Sequence, residues 1–392
     1  MEKNLNKKID INSLCEILQD NFSIVILGNI LNKISNIEAK IAIEEFISDF
    51  SPVLIYEAYY YLRNNNLIKE GKFYRSKELK DKVTDYRMLT TKKKIKESSY
   101  IEKIKQQMGI EFDDEIYDIN VIVKDNKVKR FNFAEYNKRE DKEFLEMCYL
   151  TNEEFSKVCF KEIMKISEFD YKNIINDILD KKSKEIKKLE RRLAGTRYSY
   201  KSSKIFKNSS ILKNDKIFIL YRINILQIII ELRDFFRKME ITASINNKII
   251  LDTNRFINKI IALEIDILGN DIRSLNTEYI TKLQQKLDKK MLQENKDFYS
   301  LSRKLRNNIH YENIEELDLN TYNNTEILQD NYIDLVYDIM IKELFFKLDE
   351  EDFLLNDFFK YCNENDISQK EIELNYKNYY TQYYYTKKIN KL

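Results

Sequence analysis

The chain has 392 residues, 34% of them charged and 43% hydrophobic, with one His, one Pro, five Gly and no Trp. Such a composition excludes a disordered tail or a collagen-like repeat. Without G-x-G-x-x-G or G-x-x-x-x-G-K-[ST] the chain lacks the usual signatures of dinucleotide and P-loop binding, and one His excludes two-imidazole zinc sites. Lys+Arg total 67 against 65 Asp+Glu, so the net +2 points to no partner and only local asymmetry can. The many Lys, Asn, Ile and Tyr residues match AT-rich coding, so the Tyr and Asn counts are weak functional evidence by themselves. Cys15, Cys148, Cys159 and Cys362 form no C-x-x-C pair and read as reduced, buried or incidental thiols. The N-terminus has no uninterrupted apolar stretch of the signal-peptide kind. Residues 217–230 are apolar but broken by Arg222, Asn224 and Gln227, as in a buried helix and not a membrane span. The expectation is a cytoplasmic protein with no membrane partner.

Residues 10–80 read as three short helices and a small hairpin. SIVILGNILNKI (23–34) has helical spacing, and Ser35 with Glu38 fits a capping box with Ser35 as N-cap. Ser51 then reads as the N-cap of a third helix with Pro52 at its first position. Two short apolar strands follow about Glu70-Gly71. This order is similar to a winged helix-turn-helix domain over about 70 residues. In that family the third helix enters the DNA major groove; here it would present Tyr56, Glu57, Tyr60 and Arg63. A protein-interaction or spacer module fits the pattern equally.

Residues 85–110 are basic, and 115–124 with 127–136 alternate about Asp125-Asn126 as a β-hairpin does. A helical stretch covers about 140–192. Between Lys181 and Lys207 stand eleven Lys/Arg against two Glu, with Tyr198 and Tyr200 inside the run. Such density suits phosphate binding and base stacking, or else a solvated helix and linker. From about 215 to 361 the segments 216–239, 247–268, 277–292, 296–310 and 325–348 read as helices of an up-and-down bundle, with Gly269-Asn270 capping the second. An acidic run, Asp349–Asp352, and a tyrosine-rich tail, 376–388, close the chain.

The lone His310 ends the fourth bundle segment, in SRKLRNNIHYE. At about 100° per residue, Phe298, Leu301, Leu305 and Ile309 form an apolar stripe. Arg303, Arg306, Asn307 and His310 fall on the flank and outer face of the same helix.

An Arg, often followed by a polar residue, then a His a few residues on in a late helix of an all-α bundle resembles the HEPN superfamily, whose motif is Arg, four to six residues, His. Arg303 to His310 has six intervening residues; Arg306-Asn307 matches the Arg-polar pair but stands only three residues from His310. The resemblance leaves the motif arginine open between Arg303 and Arg306, and it covers about 145 residues. It implies a metal-independent endoribonuclease without a cofactor, acting on RNA as a homodimer in a toxin or phage-defence (abortive-infection) setting. His310 would act as general acid or base, since imidazole titrates near neutral pH. Arg303 or Arg306 would hold the phosphate oxygens, Asn307 would hold phosphate or orient the ring, and Tyr311 would stack on a base. Lys187, Lys188, Arg191, Arg192 and Arg197 of the basic run would bind the RNA backbone. The expected fold is mainly α. It comprises a winged-helix-like domain (1–84), a middle region with basic linker, β-hairpin and helices (85–204), a HEPN-like bundle (205–362) and the tail (363–392). The alternatives are a dimeric winged-helix DNA-binding regulator, with DNA or a regulatory protein on residues 1–84, and a non-catalytic scaffold.

Overall fold

A computed structural model describes residues 9–69, 118–124, 127–132, 139–166, 168, 170–201, 213–245, 248–274, 285, 289, 298–312, 314–315 and 318–344. Outside them lie the hairpin about Glu70-Gly71, the basic stretch 85–110, the end of the basic run, nearly all of segment 277–292, the acidic run and the tail. Among the described residues the protein is mainly helical, with nine helices and five short strands.

Helix α1 (Ile11–Leu31) starts at Asp10, whose carboxylate accepts the backbone N–H of Asn12 and Ser13. It begins well before the segment 23–34 whose spacing reads as helical. Residues 13–27 are all buried, the polar ones included, because α1 runs through the middle of the molecule. By length and composition it could cross a membrane, but 83% of its apolar window is buried inside the protein. It packs against α2 (Ile37–Asn64), α3 (Arg139–Met164), α4 (Tyr171–Lys181), β5 (Lys248–Asp252) and α7 (Thr253–Ser274). Gly28 permits the α3 approach: a Cβ there would stand 2.3 Å from the ring of Tyr149.

Helix α2 is also continuous. Asn36, not Ser35, is its N-cap, accepting from the Ala39 N–H at 3.0 Å. Ser35 instead donates through its N–H and hydroxyl to Glu190. Ser51 and Pro52 lie inside the helix, so no third helix begins there. Tertiary burial outweighs the missing hydrogen bond at Pro52: Phe46, Phe50, Leu54 and Ile55 are all in the core. Asn152 of α3 donates to the Ser51 hydroxyl.

The hairpin about residues 125–126 forms as expected, β1 (Asp118–Lys124) with β2 (Lys127–Asn132). A third strand joins it. β3 (Thr196–Lys201), from the second half of the basic run, pairs antiparallel with β1, giving the order β2-β1-β3. The middle stretch then divides into α3, α4 and α5 (Ser183–Leu193).

In the C-terminal half α6 (Lys213–Met239) leads into a second hairpin, β4 (Thr242–Ile245) with β5. Segment 247–268 is therefore not all helix. Its Ile-Ile-Leu start pairs as a strand, and Asp252 then caps α7 by accepting the Asn254 N–H. α7 also runs past Gly269, which caps nothing. Around α7 pack α6, α8 (Phe298–Asn307), α9 (Leu319–Leu344) and α1. One hydrophobic core joins residues of all nine helices.

The scarcity of glycine shows at helix ends. Asn66, Lys165 and Glu240 follow α2, α3 and α6 with φ of 57°, 55° and 46°, the left-handed turn that glycine usually supplies. Leu67 N–H closes the first on the Leu62 carbonyl at 2.9 Å.

Candidate functional site

His310 lies just beyond α8, in a turn that tightens the helix end. The N–H groups of Asn308, Ile309 and His310 bond the carbonyls of Leu305, Arg306 and Asn307. Asn308 pins the loop by giving its amide to the Glu315 carbonyl and accepting the Glu315 N–H. Phe298, Leu305 and Ile309 are buried as the stripe requires, with Ser302 buried beside them and Leu301 only partly so.

The imidazole itself is half-exposed, its side chain at 53%, and Nδ1 stands 3.1 Å from the Glu57 carboxylate of α2. Glu57 thus occupies one ring nitrogen of the imidazole. Asn64 Nδ2 donates to Glu312 at 3.3 Å and seats the same loop along α2. Sequence reasoning missed Glu57 as a partner because it lies on another helix, in the opposite half of the chain.

The two arginines part company. Arg306 is 22% exposed and reaches Asp266 of α7 at 3.4 Å. Arg303 is exposed, with no ion pair among the described residues. The Asn307 side chain is half-buried and its backbone carbonyl accepts the His310 N–H.

Tyr311 is placed quite differently from the expected stacking ring. It is 1% exposed, its hydroxyl donates to Asp20 at 2.9 Å, and its carbonyl accepts the Ser13 hydroxyl at 2.6 Å. A ring held there cannot meet a base. It belongs to a buried cluster in which Lys259 of α7 bonds both Asp20 and Glu16 (2.7 Å) of α1. Burial pushes the Asp20 carboxyl up, against the pull of Lys259. Burial likewise drives the Tyr311 phenol well above its ordinary range.

The basic run separates into two sets. Lys184, Lys187, Lys188 and Arg191 are exposed on α5, while Ile186, Leu189 and Leu193 on the opposite face enter the core. Arg192 and Arg197 are already engaged inside the molecule. Arg192 bonds Asp234 at 2.8 Å, and Arg197 bonds Glu38 at 2.6 Å. The backbone of Tyr198 and Tyr200 pairs with Val121 and Ile119 in the sheet. Glu190, within the run, accepts from Ser35 and Asn36 just ahead of α2: despite partial burial, these donors hold its carboxyl below the usual range.

Among the described residues no group of three or more His, Cys, Asp or Glu side chains is placed to hold a metal ion. Cys15, Cys148 and Cys159 are buried free thiols. No protein-family model, curated protein or solved structure matches the chain.

Proposed function

We propose that the protein is an endoribonuclease in which His310 transfers the proton and Arg303 holds the phosphate. The 2′-oxygen forms a bond to the adjacent phosphorus and the bond to the 5′-oxygen breaks. The 2′-OH loses its proton to a base and the leaving oxygen gains one, giving 2′,3′-cyclic phosphate and 5′-OH ends. The observation that carries the reading is the half-exposed imidazole, held at Nδ1 by a carboxylate, at the end of a helix that also exposes Arg303. Arg303 is preferred to Arg306 because Arg306 is engaged with Asp266. The likeness to HEPN domains adds a homodimer, which brings a second imidazole, and a toxin or phage-defence setting. The exposed cations of α5 provide a track for the RNA backbone.

The DNA-binding regulator reading draws on the α2 face that here receives the loop after α8, and is the weaker of the two. Incubating wild type and His310→Ala with end-labelled RNA in EDTA tests the proposal. Cleavage to the stated ends, reduced by roughly 10²–10⁴ in the variant, is expected. Equal behaviour of the two proteins overturns it and leaves the scaffold reading.

A further inference from the structure

We infer that the Tyr56–Tyr60 pair on α2 is a nucleobase subsite of the His310 centre, so that the RNA entering it is unpaired there. The choice of RNA as ligand rests on the ribonuclease reading; the geometry of the pair stands apart from it. At about 100° per residue, Tyr56, Glu57, Tyr60, Arg63 and Asn64 fall within an arc of about 120° on one face of α2. Glu57 and Asn64 of that face are the residues that seat the loop of His310 and Glu312. Tyr60 is one helical turn from Glu57, about 4.5 Å along the axis.

Tyr60 is 38% exposed as a residue, and its ring is packed by Tyr56 and Tyr59. Tyr56 lies 4.7 Å away between centroids at 54°, and the buried Tyr59 lies 5.8 Å away, edge-on at 84°. A ring fixed in this way presents apolar surface without having to lose much rotamer freedom on binding. A nucleobase stacks on such a surface only when it is turned out of a duplex. Arg63 is exposed one turn further on along the same face. The exposed Glu312 stands nearby and sets a limit on how much anion the face accepts. Tyr60 is then a substrate-binding residue in the role that the sequence suggested for Tyr311.

Binding by the His310→Ala protein of a labelled hexauridylate and of an abasic ribose-phosphate hexamer tests this without cleavage. The base-bearing chain is expected to bind about 5- to 150-fold more tightly, the range that stacking one base supplies. Tyr60→Ala removes the difference and Tyr60→Phe keeps it. In the wild-type protein the single imidazole gives one Hε1 resonance by NMR, and uridine 3′-monophosphate shifts it only while residue 60 is aromatic. Equal binding of the two hexamers, or a ratio unchanged in Tyr60→Ala, overturns the subsite. Base-dependent binding without any RNA cleavage by the wild type keeps the subsite and removes the nuclease.

Discussion

Lys259 shows how a single side chain secures the region around His310 from behind. Its ammonium joins Asp20 and Glu16 of α1, and the Tyr311 hydroxyl completes the cluster on Asp20, one residue from the imidazole. Buried charges are tolerated only when paired, and removing one partner leaves the others without compensation. Lys259→Met is therefore expected to lower stability by about 3–5 kcal/mol in urea unfolding. Adding Glu16→Gln and Asp20→Asn should restore much of that loss, because the uncompensated charges are then gone. If Lys259→Met alone were neutral, the cluster would not be what anchors α1 to α7.

At the scale of elements, α5 divides its residues cleanly between packing and charge. Its apolar side closes on the core, and Lys184, Lys187, Lys188 and Arg191 recur at i, i+3, i+4 and i+7 on the outer side. On the proposed ribonuclease reading, replacing Lys187, Lys188 and Arg191 with Glu should weaken RNA binding and flatten its dependence on salt. On a single strand the log–log slope should fall by about 0.7 for each phosphate that is no longer neutralised. Stability should hardly change, since these side chains are exposed. The converse holds for Arg197, whose partner is the buried Glu38: Arg197→Ala should destabilise the sheet and leave the salt slope as it was.

Over the whole molecule, α2 carries a line of carboxylates, Glu38, Glu45 and Asp49, that meets Arg130, Asn224 and Arg222 from β2 and α6. Burial pushes Glu45 up to about 7, against the pull of Arg130 and of the amide of Asn224. A carboxyl whose folded pKa lies above its unfolded value binds its proton more tightly when folded. Its contribution to stability is present below the unfolded pKa and is lost as pH rises through the folded one. The protein should thus unfold at a higher temperature at pH 5.5 than at pH 7.5, with a difference of about 1–2 kcal/mol traceable to this group. In Glu45→Gln, which is neutral throughout, that slope should be much reduced. A slope unaffected by the substitution would assign the pH dependence elsewhere.

Part of this fold is legible in the sequence. The stripe of Phe298, Leu305 and Ile309, the hairpin about residues 125–126 and the helical character of the chain all follow from local periodicity, which is a property of neighbours in sequence. The prominence of His310 is legible too, because a single imidazole leaves one place to look. Periodicity misplaced what depends on distant partners. Pro52 reads as a helix start until the burial of the residues around it carries α2 through, and Tyr311 reads as a surface ring until α1 and α7 close over it. Residues 248–252 read as helix until β4 is there to pair with them. Composition and local pattern by themselves determined a mainly helical protein with one imidazole and one basic run. Only the tertiary structure decided that Glu57 stands beside that imidazole and that Arg192 and Arg197 are withdrawn from the basic surface. The reason is physical: a side chain's availability is set by which charges and rings the packed helices bring to it, and those lie far away along the chain.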